Sequence, residues 1–201
     1  NAPLTAAVAN DGRMNVTAGV TTIDNQIVTT VPIGYQVGGF QEISIGDDNN
    51  QGSLTINGDT YTIAASGSDV WGGADDMYFV YQEKDVDEAL DISARVGVGG
   101  FVGGTDPWRK AGLMIRDSLN DTSRNATILI ADGDGNGINP QIRPADGAQT
   151  MGGTSGAGTR VAHDTPVYLR LTYAGDGQSF DTYWSEDGTN WNDNGDDAAL
   201  V

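Results

Sequence analysis

Four segments decide the fold: Leu54-Thr-Ile-Asn57-Gly58-Asp-Thr-Tyr61-Thr-Ile63, Met77-Tyr-Phe-Val-Tyr81-Gln82, Leu90-Asp-Ile-Ser-Ala-Arg-Val96 and Ala111-Gly-Leu-Met-Ile-Arg116. The first is a strand-turn-strand signal. Asn-Gly is the preferred pair at the centre of a tight I′ hairpin, because both central residues need positive φ. Residues 53–57 and 60–65 are the expected arms, with Asn57-Gly58 at the tip. Met77–Gln82 is apolar at successive positions and predicts a central strand covered on both faces. Leu90–Val96 alternates and predicts a strand with one face in the core.

The same signals extend outward in both directions. Downstream, 127–131 and 138–143 read as strands around the loop Asp132-Gly-Asp-Gly-Asn-Gly137. Residues 144–165 are Gly-rich and predict a long loop with one short strand near 149–151. Val167-Tyr-Leu-Arg-Leu-Thr-Tyr173 is the cleanest alternation, with Val167, Leu169, Leu171 and Tyr173 on one face. Ser179–Ser185 pairs with it across Gly175-Asp-Gly177, and 198–201 adds a last strand. Upstream, 13–23, 25–31 and 35–45 read as strands, and the small, polar residues 1–12 as an arm without structure. Many short strands punctuated by Gly and Asp, with no helical period, predict an all-β, two-sheet antiparallel β-sandwich of jelly-roll type. Residues 1–45 are expected to supply an N-terminal arm and added strands (an N-terminal strand extension), and 46–201 the sandwich.

Composition narrows the function classes. The 201 residues carry a formal net charge of −18 and only two lysines, Lys84 and Lys110. Nucleic-acid binding needs a basic face that displaces counterions, and this balance excludes one. An anionic membrane surface would repel the chain, and no apolar run approaches the roughly 18 residues of a membrane span. Neither nucleic acid nor membrane insertion is therefore expected. There is no cysteine, so no disulfide supports the fold. Glu occurs only at positions 42, 83, 88 and 186, so the acidity is mostly Asp, a turn former and a hard-cation ligand. A strongly solvated surface suited to a saline exterior accounts for the same charge. The start at Asn1, without an initiator Met, suits an exported chain whose leader has been removed.

From about Gly46 to Trp191 the chain resembles secreted bacterial and archaeal concanavalin A-like (laminin-G-like) β-sandwich modules of the regulation-of-enolase-like or unknown-function kind. The resemblance is carried by Gly67-Ser-Asp-Val-Trp71-Gly, Asp75-Asp-Met-Tyr-Phe-Val-Tyr81-Gln, Asp106-Pro-Trp108-Arg-Lys-Ala-Gly-Leu-Met-Ile-Arg116-Asp-Ser-Leu119 and Ser185-Glu-Asp-Gly-Thr-Asn-Trp191. It implies a jelly roll appended to secreted enzymes and adhesins, one that binds carbohydrate or acts as a scaffold. It carries no catalytic residues over. Residues 1–45 and the acidic tail 192–197 fall outside it.

Several constellations carry chemistry. Asp132, Asp134 and Asn136 place oxygen ligands at alternate positions with Gly between them, as in the first half of a Ca²⁺ loop. Arg143 stands where that loop would have its bidentate Glu, so Ca²⁺ would need a further ligand such as Asp146. A hairpin turn built of turn formers explains the same residues. Tyr183, Trp184 and Trp191 could form a sugar-stacking platform. Tyr183 and Trp184 are adjacent on a strand, so one of the two faces outward. Trp71 and Trp108 lie inside the resemblance blocks and read as packing residues. Glu83-Lys-Asp85-Val-Asp-Glu88 matches a retaining-glycosidase spacing, but its intervening positions are polar, which favours a solvated connection. His163, the only histidine, reads as a loop residue. Asn15, Asn120 and Asn125 head N-glycosylation sequons.

The expected function is therefore a non-catalytic extracellular module for surface recognition or adhesion. Its ligand would be a glycan or another cell-surface group, with possible help from Ca²⁺. The alternative is self-assembly, as a structural subunit of a filament, pilus or surface layer joined through its N-terminal strand. A glycoside hydrolase is the third reading, and it requires Glu83 and Glu88 in one cleft.

Overall fold

The structure is a computed structural model, and it describes residues 4–6, 14–15, 18–21, 25–30, 40–46, 52–57, 60–97, 106–132, 136–152, 161–163, 166–194 and 198–199. Among them there is no helix, and seventeen strands follow in order. The first seven are β1 (Leu4–Ala6), β2 (Met14–Asn15), β3 (Ala18–Thr21), β4 (Asn25–Thr30), β5 (Gln41–Ile45), β6 (Gly52–Asn57) and β7 (Thr60–Ala65). Then come β8 (Met77–Lys84), β9 (Leu90–Val96), β10 (Arg109–Arg116), β11 (Asn125–Asp132), β12 (Gly137–Arg143) and β13 (Met151–Gly152). The last are β14 (Val167–Tyr173), β15 (Ser179–Ser185), β16 (Asn192–Asp193) and β17 (Ala198–Ala199).

The strands form three sheets. The first runs β1-β8-β3-β10-β11-β12-β13, with β5 also on β8; the second runs β16-β15-β14-β9-β2, with β17 on β15; the third is β4-β7-β6. Every named strand pair is antiparallel except β2 with β9. This all-β, antiparallel architecture fits a sandwich: β10 and β11 of the first sheet pack on β9 and β14 of the second. The interior between them is apolar. It takes Leu113, Ile115, Ile128 and Ile130 from one side and Ile92, Val96, Leu169 and Leu171 from the other, each at most 0% exposed.

The two main sheets obey different burial rules. In β9 and β14 every second residue is buried, as the alternation predicts. In β12 all seven residues are buried, and in β10 all but the first. β10 runs through the middle of its sheet so tightly that a Cβ on Gly112 would lie 2.2 Å from the Ile128 carbonyl oxygen. That contact explains the Gly of the Ala-Gly-Leu-Met-Ile-Arg block. Pro140 is accommodated in β12 opposite Ile128, beyond the two residues that β13 covers.

The outer face of the first sheet is closed by loops held on a buried charge cluster. Asp75 Oδ2 accepts from Arg116 at 2.7 Å, and Asp75 Oδ1 accepts from Arg143 at 2.6 Å. All three side chains are fully buried. Asn125 Nδ2 donates to the same carboxylate at 3.3 Å. Arg116 also donates to the Ser118 and Asn120 carbonyls, and Arg143 to those of Asp121, Ser123 and Gly72. Burial pulls the Arg116 guanidinium below its ordinary value, and Asp75 partly opposes that shift.

Several elements differ from the sequence reading. β1 lies within residues 1–12, where no element was expected, and pairs with β8 at Leu4↔Lys84. The strands before residue 46 are all built into sheets with later strands. The hairpin arms fall where they were expected, β6 one residue longer at its start, and pair from Gly52↔Ala65 to Asn57↔Thr60. Residues 35–39 and 200–201, expected in strands, lie outside the described residues.

Replacing Asp75 by Asn keeps the shape but leaves two guanidinium groups buried without a counter-charge. The expected loss is about 3–5 kcal/mol of unfolding free energy, measured by urea denaturation; a loss below about 1 kcal/mol would show that the cluster is not a stabilising centre.

Candidate functional site

Among the described residues, the outward positions of β9, β14 and β15 form a half-exposed face of the second sheet. Alternation in β14 sends Val167, Leu169, Leu171 and Tyr173 inward and leaves Tyr168, Arg170 and Thr172 on the other side. Arg170 stands opposite Ser93 of β9 and Tyr183 of β15, so these three share one face. Its guanidinium meets Asp91 in a two-pronged pair, Nε to Oδ1 at 2.7 Å and a terminal nitrogen to Oδ2 at 2.5 Å. Donating to the Asp91 carboxylate raises the pKa of the Arg170 guanidinium above its ordinary value, against a smaller lowering by burial. The same guanidinium lies over the rings of Tyr183, 5.3 Å to the centroid, and Trp191, 5.6 Å. One register step away, Arg95 lies over Tyr168 at 5.6 Å.

Trp191 is placed by a turn that its own sequence dictates. The Asp187 carboxylate accepts the backbone N–H groups of Thr189 and Asn190, both at 2.8 Å, and the Asn190 amide at 2.7 Å. Ser185 Oγ accepts the N–H groups of Asp187 and Gly188. The turn lies against Tyr168, whose ring is 2.9 Å from where a Gly188 Cβ would sit. β16 then pairs Asp193 with Tyr183 and Asn192 with Trp184. Flat ring faces, a fixed guanidinium and nearby carboxylates suit a polyhydroxyl ligand: C–H groups stack on rings while hydroxyls hydrogen-bond to the charges.

The proposed aromatic trio is therefore divided. Tyr183 and Trp191 converge on Arg170, whereas Trp184 stands opposite the buried Leu169 and packs against the core. Trp184 meets the edge of His163 at 5.2 Å, and His163 Nε2 is 2.9 Å from Glu186 Oε1. Arg170, Asp91, Arg95 and Tyr168 were missed as a group. The outward positions of β14 could have found two of them; the pairing of β9 with β14 was the missing information.

Trp71 and Trp108 were expected in the packing and are instead 48% and 43% exposed. The Lys110 ammonium lies 5.8 Å from the Trp108 ring centroid and pairs with Asp69. Of the Ca²⁺ candidates, Asp134 and the side chain of Asp132 lie outside the described residues. Asn136 is buried, and its amide donates to the Pro107 carbonyl at 2.9 Å, so its role here is to tie the β11–β12 connection to the entry of β10. Among the described residues no group of three His, Cys, Asp or Glu is placed to hold a metal. Asn120 is an exposed turn residue, and the side chain of Asn15 is outside the described set. Asn125 is 2% exposed with its amide bound to Asp75 and the Ser123 carbonyl, which leaves no free amide for a glycan in the folded chain. Glu83 and Glu88 are both exposed, and Lys84 bridges to Glu88 at 3.3 Å.

No protein-family model, curated protein or solved structure matches the chain.

The Asp187 turn makes a pH prediction. Its backbone and side-chain donors hold the carboxylate well below the ordinary aspartate value of 3.8. A depressed folded value means the ionised form is favoured in the fold, so the turn is stabilised above the unfolded value and released as pH falls through the folded one. The Trp191 indole resonance should keep its position as pH falls through 3.8 and move only in stronger acid. Movement centred near that ordinary value would contradict the assignment.

Proposed function

We propose that this chain is a non-catalytic extracellular recognition module on a two-sheet sandwich of jelly-roll type with an N-terminal strand extension. In this reading it binds a glycan or other cell-surface ligand through the outer face of β9, β14 and β15. The observation that carries the reading is the Arg170 centre: one guanidinium, neutralised by Asp91, with Tyr183 and Trp191 both within 5.6 Å of it. Such a centre fixes two rings rigidly beside hydrogen-bonding groups, which lowers the entropy lost on binding. Ca²⁺ enters through the 132–137 loop and is tested by binding with and without the ion. In a panel of soluble glycans, Trp191→Ala should weaken binding about three- to tenfold, while Trp184→Phe, on the opposite face, should leave it unchanged. Equal effects of the two substitutions, or no glycan bound at all, would overturn this reading.

A second reading is favoured by one feature of the first sheet. β8 and β10 do not pair with each other; β1 and β3, from the N-terminal stretch, pair with both. A segment of chain laid between two parallel strands is the geometry in which a neighbour's arm can substitute for one's own. On this basis the chain would be a filament or surface-layer subunit. The check is molar mass in solution of the intact chain and of one lacking residues 1–24. A polymer that becomes monomeric without the arm supports assembly; a monomer under all conditions removes it.

A further inference from the structure

The chain's single histidine ties the first sheet to the second. Val161 exchanges backbone hydrogen bonds with Ile138 of β12 at 2.8 Å and 2.9 Å, which fixes 161–163 to the first sheet. The approach is close: a Cβ on Gly137 would lie 2.5 Å from the His163 backbone nitrogen. The His163 side chain then reaches the second sheet. Its Nε2 lies 2.9 Å from Glu186 Oε1, and its ring centroid is 5.2 Å from that of Trp184. The imidazole is mostly buried, whereas Glu186 is exposed.

Glu186 directly follows β15 and belongs to the turn that presents Trp191. Ser185 Oγ and the Asp187 carboxylate hold that turn from within by accepting its backbone N–H groups. Glu186 stands between these two residues with its carboxylate on His163. A restraint on Glu186 is therefore a restraint on the turn, and through it on the Trp191 ring that Arg170 covers.

The groups around His163 leave the imidazole as the part that changes charge. β12 brings the uncharged Gly137 and Ile138, and β15 with its turn brings Trp184 and Glu186. β16 sets the uncharged Asn192 opposite Trp184, and Asp193 opposite Tyr183. Asp187 is held well below the ordinary aspartate value of 3.8 by its own turn, so its charge is constant in neutral and mildly acid solution. Histidine is the side chain whose ordinary titration falls between pH 5 and 8.

We propose that His163 is a pH-responsive tie on the recognition platform: its protonated ring pairs with the Glu186 carboxylate and restrains the turn that carries Trp191. In mild acid the contact joins an imidazolium to a carboxylate, a charge-assisted bond. At higher pH the ring is neutral and the bond weaker. The sign follows: a pair that needs the protonated ring stabilises the turn at the acid end and loses that contribution as pH rises. The tie limits excursions of the turn and does not move its mean position. The platform is therefore most rigid in mildly acid solution, where fixed rings lose least entropy on binding. That consequence for a ligand rests on the recognition reading; the tie itself does not.

The test is amide hydrogen exchange across residues 186–191 from pH 8 to pH 5, expressed as protection factors, with the His163 ring titration followed by NMR on the same chain. One histidine in the chain makes that titration unambiguous. Glu186 is exposed, so protection should rise only about two- to fivefold towards the acid end, with the midpoint of the His163 ring. The rise should vanish in His163→Gln and in Glu186→Gln. Flat protection in the unmodified chain, or the same rise in either variant, overturns the proposal. The measurement on the unmodified chain stands even if a variant fails to fold. Affinity for the soluble glycans at the two ends of the pH range separates the tie from the platform. Protection that follows His163 while the affinity of a bound glycan stays constant overturns the regulatory role. Protection that follows His163 with no glycan bound overturns the recognition reading and leaves the tie in place.

Discussion

One carboxylate, Asp75, holds two arginines that have no access to solvent. Removing three charged groups from water is costly, and one negative charge cannot offset two positive ones. The remainder is met by carbonyl oxygens of residues 72, 118, 120, 121 and 123. Those carbonyls belong to the loops before β8 and between β10 and β11. The cluster therefore does more than satisfy itself: it fixes two separate loops at the first sheet. Asp75 reinforces the link through its backbone N–H, which donates to the Asp121 carbonyl at 2.8 Å. The fold has no disulfide to do this. Its Gly-rich connections are ordered near the cluster by charge and hydrogen bonding.

Covering one sheet decides where a ligand can go. With both faces of β10 and β12 buried, the first sheet presents little open β surface there. On the outer face of the second sheet Tyr168, Arg170, Tyr183 and Trp191 are half-exposed, and among the described residues no charge cluster like that of Asp75 ties loops over them. The polar outward positions of β9 and β14 are what a solvated face requires, and they are also what allows a guanidinium to be framed by rings. A buried Arg on the first sheet and a framed Arg on the second are two answers to the same desolvation cost, one structural and one accessible.

The sequence made the second sheet easy to read and the first sheet hard. Val167–Tyr173 and Leu90–Val96 carry one polar and one apolar face, so period-two reading gave both strands within about a residue. Asn125 and Thr127, and also Asn139, Gln141 and Arg143, sit on a face that is buried though polar, a pattern that alternation assigns to solvent. For Asn125 and Arg143 that inversion depends on Asp75, fifty residues earlier than Asn125, and no local signal joins them. The residues quoted for the family resemblance include Asp75 and Arg116, members of this cluster, while the resemblance's tryptophans, Trp71 and Trp108, prove to be surface residues. Sequence blocks therefore marked the scaffold's buried polar centre without disclosing which members were inside. The candidate platform was half legible: Tyr183 and Trp191 could be named, but their convergence on Arg170 requires the β9–β14–β15 register.

The charge balance constrains the ligand under the recognition reading. Ten basic residues stand against twenty-eight acidic ones, and Lys110, Arg116 and Arg143 are buried. Of those at the platform, Arg170 is neutralised by Asp91 in a two-pronged pair. An anionic ligand approaching the platform meets the field of the whole chain, which is repulsive beyond the Debye length of about 10 Å only at low salt but is never attractive. It then finds its best cation already engaged. A neutral polyhydroxyl ligand meets neither obstacle. It needs only ring faces and partly occupied hydrogen-bonding groups, and those are the features that β14, β15 and the Asp187 turn bring together. Under the recognition reading, the chain's acidity therefore argues against sulfated or phosphorylated glycans and in favour of uncharged ones.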